Sequence, residues 1–270
     1  MEIDYHITEI CNLNCVGCFH YIPISNIKKH YNIEKIKYEL KLLAKHAEIV
    51  DNLVLMGGEP TLHPDIVPIL YYAREIFPNT KLTIATNGAY FSIFDEKSFI
   101  RAIQYNNIVV RITQYPFSEN AQNIYKQIYE KLHTFNIDVE TVSVVDTNYH
   151  FLKQSFHKNL INDITQSKYC KTFHYCTTLK DAKLFVCNFA AYIDSLTDKF
   201  PEIDWIKTDN NSYVDLTENY TDEQILERMS KLSLVCTHCV ELNRGWSSDN
   251  PEEITTWYTS EQKKEEWIKE

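Results

Sequence analysis

The stretch "EIDYHITEICNLNCVGC" (residues 2–18) passes from a strand pattern at 2–8 into a loop holding Cys11, Cys15 and Cys18. The elements after it repeat the same step. "NLVLM" (52–56) runs into "GGEP", "KLTIAT" (81–86) into "NG", and "IVVRIT" (108–113) into "QY", with a fifth strand at "IDVETVSVV" (137–145). Helical patterns lie between them. In 32–47, Ile33, Ile36, Leu40, Leu43 and Ala47 share a face behind Asn32 as N-cap. Pro64 opens a helix to about Phe77, buried through Ile66, Ile69, Leu70, Ala73 and Phe77. Residues 95–104 and 119–135 complete the set, the latter with Ile124, Ile128 and Leu132 in phase.

Five strands separated by four helices predict an α/β fold with a parallel sheet, because each helix serves as a right-handed crossover. A full eightfold barrel takes about 250 residues, and this pattern stops near 146. The expectation is a partial (β/α) barrel of five to six parallel strands. Sites in such folds lie at the C-terminal strand ends, so the loops after the strands converge on one rim.

The glycines mark the same loops. The chain has only five: Gly17, Gly57, Gly58, Gly88 and Gly245. Gly17 sits in the cysteine loop, Gly57 and Gly58 begin "GGEP", and Gly88 ends "TNG".

Composition narrows the function classes. The 270 residues, 44% of them hydrophobic, fit one sizeable globular unit or a main domain with an appendage. With 37 acidic against 27 basic residues, net charge −10, a long nucleic-acid groove is disfavoured. No secretory signal and no membrane-length apolar run is visible, so the expected compartment is the cytoplasm. There, eight cysteines point to metal ligands rather than disulfides.

A structural zinc site normally closes with four ligands, and His20 offers a fourth to Cys11, Cys15 and Cys18. The alternative is an iron–sulfur cluster with one iron left uncapped. The C-x3-C-x2-C spacing, on a loop after the first strand of a parallel barrel, resembles the radical S-adenosylmethionine (radical SAM) enzymes. "GGEP" (57–60), "TNG" (86–88) and "RITQY" (111–115) resemble further motifs of that family. The resemblance implies a [4Fe–4S] cluster on Cys11, Cys15 and Cys18, with SAM at the open iron. It implies SAM contacts from Gly57, Gly58, Glu59, Asn87 and Thr113. It also implies reductive cleavage of SAM to a 5′-deoxyadenosyl radical that abstracts hydrogen from substrate, and an electron donor such as flavodoxin or ferredoxin. Two points depart from the family. Gly17 stands where an aromatic usually packs near the adenine, leaving Phe19 or backbone for that part, and Thr113 replaces the usual Ser.

The other cysteines are Cys170, Cys176, Cys187, Cys236 and Cys239. "CTTLKDAKLFVC" (176–187) reads as a hairpin turning near Asp181-Ala182, and a helical pattern at 221–232 precedes "VCTHCVE" (235–241). A hairpin ending in Cys187 plus a distant C-x2-C resembles the Twitch/SPASM-type auxiliary domain, although Ala182 stands where that family has Gly. The resemblance implies a second [4Fe–4S] cluster on Cys187, Cys236, Cys239 and either Cys170 or Cys176. It also implies a core at 1–150, an auxiliary domain at 151–245 and a C-terminal extension at 246–270.

The compact layout is similar to the inosamine dehydrogenase branch of the family, from the butirosin pathway. That implies oxidation or rearrangement of a small polar substrate, a carbohydrate or cyclitol first. Gln114, Tyr115 and Asn148 are substrate-contact candidates, and Arg111 offers either a contact to a carboxylate or substrate, or an outward salt bridge. Peptide modification, by epimerisation or thioether formation, is the alternative enzyme reading. No peptide-binding domain is expected before residue 2. A zinc-stabilised, non-catalytic binding module is the alternative from another class.

Overall fold

The computed structural model describes residues 1–15, 18–115, 118, 120–143, 156–160, 162–163, 176–239 and 262–269. Gly17, Asn148 and Cys170 lie outside the described residues.

The strand–helix alternation builds β1 (Glu2–Thr8), α1 (Ile33–Ala44), β2 (Asn52–Gly57), α2 (Ile66–Ile76), β3 (Lys81–Thr86), α3 (Lys97–Tyr105), β4 (Ile108–Gln114), α4 (Ala121–Thr134) and β5 (Val139–Ser143). Then follow β6 (Phe156–His157), β7 (Thr177–Lys180), β8 (Lys183–Phe185), α5 (Asn188–Lys199), β9 (Tyr213–Asp215), α6 (Asp222–Met229) and β10 (Ile268–Lys269). The main sheet runs β5-β4-β3-β2-β1-β7-β8-β9, parallel from β5 to β7 and antiparallel through β8 and β9. The expected five to six parallel strands are therefore six, the sixth being the first arm of the hairpin. The sheet continues across residue 150, because β7 pairs directly with β1.

Helix burial follows the apolar spacing. Ile36, Leu40 and Leu43 of α1 and Ile66, Ile69, Leu70 and Ala73 of α2 are buried in the core. Asn32 caps α1 by accepting from the Glu34 amide at 2.8 Å. Helix α2 starts two residues after Pro64, because the His63 ring takes the Asp65 amide at Nδ1 and donates to Tyr31 O from Nε2. That locks 63–65 as a separate turn.

The hairpin turns where the alternation ends, at Asp181 and Ala182, with φ of 50° and 59°. A left-handed alanine costs roughly 1–2 kcal/mol. It is held by its amide donating to Glu39 Oε1 at 2.8 Å, on a buried carboxylate that also accepts from Tyr5 Oη at 2.7 Å. Glu39 thus ties hairpin, helix and first strand together.

The alternate face of the parallel strands is polar at its base. Arg111 of β4 reaches Glu2 of β1 at 2.7 and 3.0 Å, past the two intervening strands, and also Glu140 of β5 at 2.8 Å. The sheet therefore curls on itself into a partial barrel. Arg111 is engaged by two carboxylates inside this floor, which resolves its two readings in favour of a salt bridge, though an inward one.

Asp4 faces the same interior and is buried. Burial pushes its carboxyl up to about 8, Glu2 adds to this, and Arg111 opposes it. With the folded pKa above the unfolded value, the proton stabilises the fold. That contribution is complete below about pH 4 and is lost as pH rises towards 8. Each unit is worth about 1.4 kcal/mol, so the total is on the order of a few kcal/mol. Asp4→Asn should raise the thermal unfolding midpoint at pH 8 and leave it near wild type at pH 4.

Candidate functional site

The four loops after β1 to β4 meet over a cavity of about 260 Å³ at the C-terminal strand ends. Its wall holds Cys11, Cys15 and Cys18 from the first loop, Gly57 at the end of β2 with Gly58 after it, Thr86 at the end of β3 with Asn87 after it, and Thr113 near the end of β4 with Tyr115 after it. Met56, Ala85 and Val142 also line it. Tyr115 is thus brought to the site. Gln114, at the end of β4, is half-buried and is not among the cavity's lining residues.

Close backbone approach explains the glycine pair. Gly57 has φ of 137°, and a Cβ there would stand 2.1 Å from Thr8 O. A Cβ on Gly58 would stand 2.1 Å from Ile10 O and 2.4 Å from its carbonyl carbon. The Gly58 amide donates to Thr8 O at 2.9 Å and the Glu59 amide to Ile10 O at 2.7 Å. The second loop therefore presses on the entry to the cysteine loop through bare backbone, a contact only glycine permits.

Glu59 is the hub beneath. It caps a short 3₁₀ turn (Pro60–Leu62), accepting from the Thr61 amide at 3.1 Å and hydroxyl at 2.6 Å. It also accepts from Thr86 Oγ1 at 2.7 Å and the Asn87 amide at 2.7 Å. Burial raises its pKa while these donors pull it down. Asn87 carries the link onward: its Nδ2 donates to Asn12 Oδ1 at 2.8 Å and approaches Cys11 Sγ at 3.8 Å. A hydrogen-bonded path thus joins "GGEP", "TNG" and the cysteine loop.

The three thiols face one another's fields. Burial pushes Cys11 up to about 12 and raises Cys15 and Cys18, with Cys18 and Cys11 adding to the effect on Cys15. Such thiols ionise when a metal displaces their protons. Among the described residues, no three His, Cys, Asp or Glu side chains gather around a single-ion site. His20, the possible fourth ligand, lines the cavity with its Nδ1 2.9 Å from His6 Nε2. Burial, helped by His6, lowers its pKa.

His6, Glu9 and Tyr31 were missed in the sequence. His6 Nδ1 lies 3.0 Å from Glu9 Oε1, which accepts from Tyr31 Oη at 3.1 Å. The signal was the period of two in β1, which puts Glu2, Asp4 and His6 on one face.

Residues 5–137 match the model of the radical SAM superfamily. This segment is a radical SAM domain. Such a domain implies a [4Fe–4S] cluster and SAM, and the chain's own features fit them: three thiols and a side-chain-free cradle on one cavity. Phe19 lines the radical SAM cavity and packs edge-on to Phe189 at 5.3 Å. The S-adenosylmethionine-dependent nucleotide dehydratase of Selenomonas ruminantium is 34% identical over 88 residues, 33% of this chain and 30% of that protein. Molybdenum cofactor biosynthesis protein 1 of Bos taurus is 34% identical over 84 residues, 30% of this chain and 13% of that protein. The matched stretch thus spans less than a third of either relative. The structure of BtrN in an open conformation aligns over 92% of this chain and 91% of its own, with a TM-score of 0.44 and 11% identity. Among the described residues, no helix is long and apolar enough to cross a membrane.

Of the second cysteine set, Cys176, Cys187, Cys236 and Cys239 are described. Cys176 precedes β7, opposite Cys187 by continuation of the Thr178–Phe185 register. Cys187 is the N-cap of α5, where Sγ accepts from the Ala190 amide at 3.5 Å. Cys236 lies within a 3₁₀ turn (Leu234–His238) and Cys239 caps its end, and Asn162 Nδ2 donates to both of their carbonyls at 2.8 and 2.6 Å. Cys239 also bridges Phe156.

Proposed function

We propose that the chain is a radical SAM oxidoreductase acting on a small polar substrate, a carbohydrate or cyclitol first, with a second [4Fe–4S] cluster. The observation that carries this reading is the convergence of Cys11, Cys15, Cys18, the glycine pair, Asn87 and Thr113 on one cavity at the strand ends. Bound there, a [4Fe–4S] cluster and SAM supply the 5′-deoxyadenosyl radical on reduction by a flavodoxin- or ferredoxin-type donor.

The protein's own part is positioning and exclusion of water. Gly57 and Gly58 offer backbone to SAM, Asn87 and Thr113 supply polar contacts around it, and Glu59, 1% exposed and absent from the cavity lining, supports them from beneath. Glu59 also fixes the third loop through Thr86 and Asn87. Phe19 offers a ring to the adenine. The second cluster is assigned to Cys187, Cys236, Cys239 and either Cys170 or Cys176, within an auxiliary unit of residues 151–245 that follows the core at 1–150. A cluster held there would supply an acceptor for the substrate's electron or a site that orients the substrate. The stretch 246–270 is a C-terminal extension whose end returns to this region, since β10 pairs with β6.

Deuterium transfer tests the substrate class. Carbon-deuterated cyclitols and sugars, incubated with reduced enzyme and SAM, should place deuterium in 5′-deoxyadenosine and yield a ketone. Deuterium arriving only from Cα- or Cβ-labelled peptides would overturn the reading in favour of peptide modification.

A further inference from the structure

Tyr21 stands between the two cysteine sets. Its amide donates to Cys18 O at 2.9 Å, and its carbonyl accepts from the Ile24 and Ser25 amides. Its φ is 54°, an unusual value for a large side chain, so the loop turns sharply to aim the ring inward. The ring is 1% exposed and packs in an aromatic group with Trp267 at 5.4 Å and Phe189 at 6.1 Å. Phe189 lies two residues after Cys187 and packs on Phe156 at 5.5 Å, the residue that bridges Cys239.

Among the described residues, Tyr21 Oη has no hydrogen-bond partner, although it is buried. Trp267 Nε1, in the same aromatic group, also has none. A buried donor without an acceptor is costly, and two in one cluster point to a missing acceptor. The ring group that holds Tyr21 lies against the second cysteine set, through Phe189 two residues after Cys187 and Phe156 paired with Cys239. Sulfur is the acceptor chemistry this neighbourhood offers.

We propose that Tyr21 Oη donates a hydrogen bond to a sulfur of the second cluster, held by Cys187 and Cys239, and thereby raises that cluster's reduction potential. This rests on the two-cluster reading. The physical reason is charge: the reduced cluster carries one more negative charge, and a donor aimed at its sulfur stabilises that form. Tyr21 is therefore a positioning and tuning residue, anchored by its backbone beside one cluster and by its hydroxyl at the other.

The test is potentiometric EPR on the full-length, anaerobically reconstituted protein and its Tyr21→Phe variant, with iron and sulfide counted first. Phe keeps the ring and removes only the donor. The expected result is full loading of two clusters, a lower midpoint for the second cluster and an unchanged midpoint for the first. A second measurement uses wild type alone: pulsed EPR of the reduced second cluster should show a strongly coupled proton that exchanges in D2O. Two clusters with an unmoved second midpoint, or no such proton in wild type, would overturn the proposal. A wild-type protein that loads only one cluster would instead overturn the two-cluster reading, so the two failures are distinguishable.

Discussion

Gly58→Ala is expected to cut 5′-deoxyadenosine formation by at least about 100-fold, the scale set by a misplacement of about 1 Å at a reacting centre. The added Cβ would sit 2.1 Å from Ile10 O and 2.4 Å from Ile10 C, more than about 1 Å inside van der Waals contact. Neither atom is the end of a flexible side chain. Relief requires the second loop and the entry of the cysteine loop to separate, which breaks the 2.7 Å bond from the Glu59 amide to Ile10 O. Glu59 then loses its place beneath Thr86 and Asn87. Far-UV circular dichroism should stay near wild type, because the clash lies beyond the ends of the helices. Quantifying 5′-deoxyadenosine in the reduced, reconstituted variant checks the result.

The second large effect separates the two cysteine sets. Replacing Cys236 and Cys239 together by Ala should lower iron from about eight to about four per chain, the content of one cubane cluster rather than two. SAM cleavage should survive while conversion of substrate is lost. Cys18→Ala should also halve the iron, and there SAM cleavage should vanish. The contrast follows from placement: Cys18 lines the cavity with Gly58 and Asn87, whereas Cys236 and Cys239 sit on a turn pinned by Asn162. Iron analysis and 5′-deoxyadenosine quantification on the two variants read both effects.

Much of the frame was legible because its signals are local. The β1 to β5 pattern follows short apolar runs, and α2 follows an uninterrupted stripe from Ile66 to Phe77. The hairpin was legible from its length and its polar turn, even with Ala182 in a left-handed conformation. Its pairing with β1 was not, since nothing in residues 177–180 specifies which strand they join. Helix α5 is absent from the sequence pattern above although Phe189, Tyr192, Ile193 and Leu196 carry its period, because Cys187 ends the hairpin and caps the helix at once.

The site divides in the same way. The cysteine loop, "GGEP" and "TNG" declare themselves by residue type, and the glycine pair proves to be a requirement of backbone contact. What stayed hidden depends on distant partners. Arg111 meets Glu2 only because the sheet curls. The His6, Glu9 and Tyr31 network forms only when the loop following β1 folds back. Tyr21 carries no signal in the sequence, and its proposed role rests on a hydroxyl left without a partner beside two cysteine sets.

A SAM-cleaving cluster on Cys11, Cys15 and Cys18 is the proposal on which the others depend. It is tested most directly by reconstituting the wild-type protein anaerobically, reducing it with SAM, and measuring iron, sulfide and 5′-deoxyadenosine. The expected result is about eight irons and eight sulfides per chain, the content of two cubane clusters, with 5′-deoxyadenosine that disappears in Cys18→Ala. Colourless protein with stoichiometric zinc and no 5′-deoxyadenosine would contradict it.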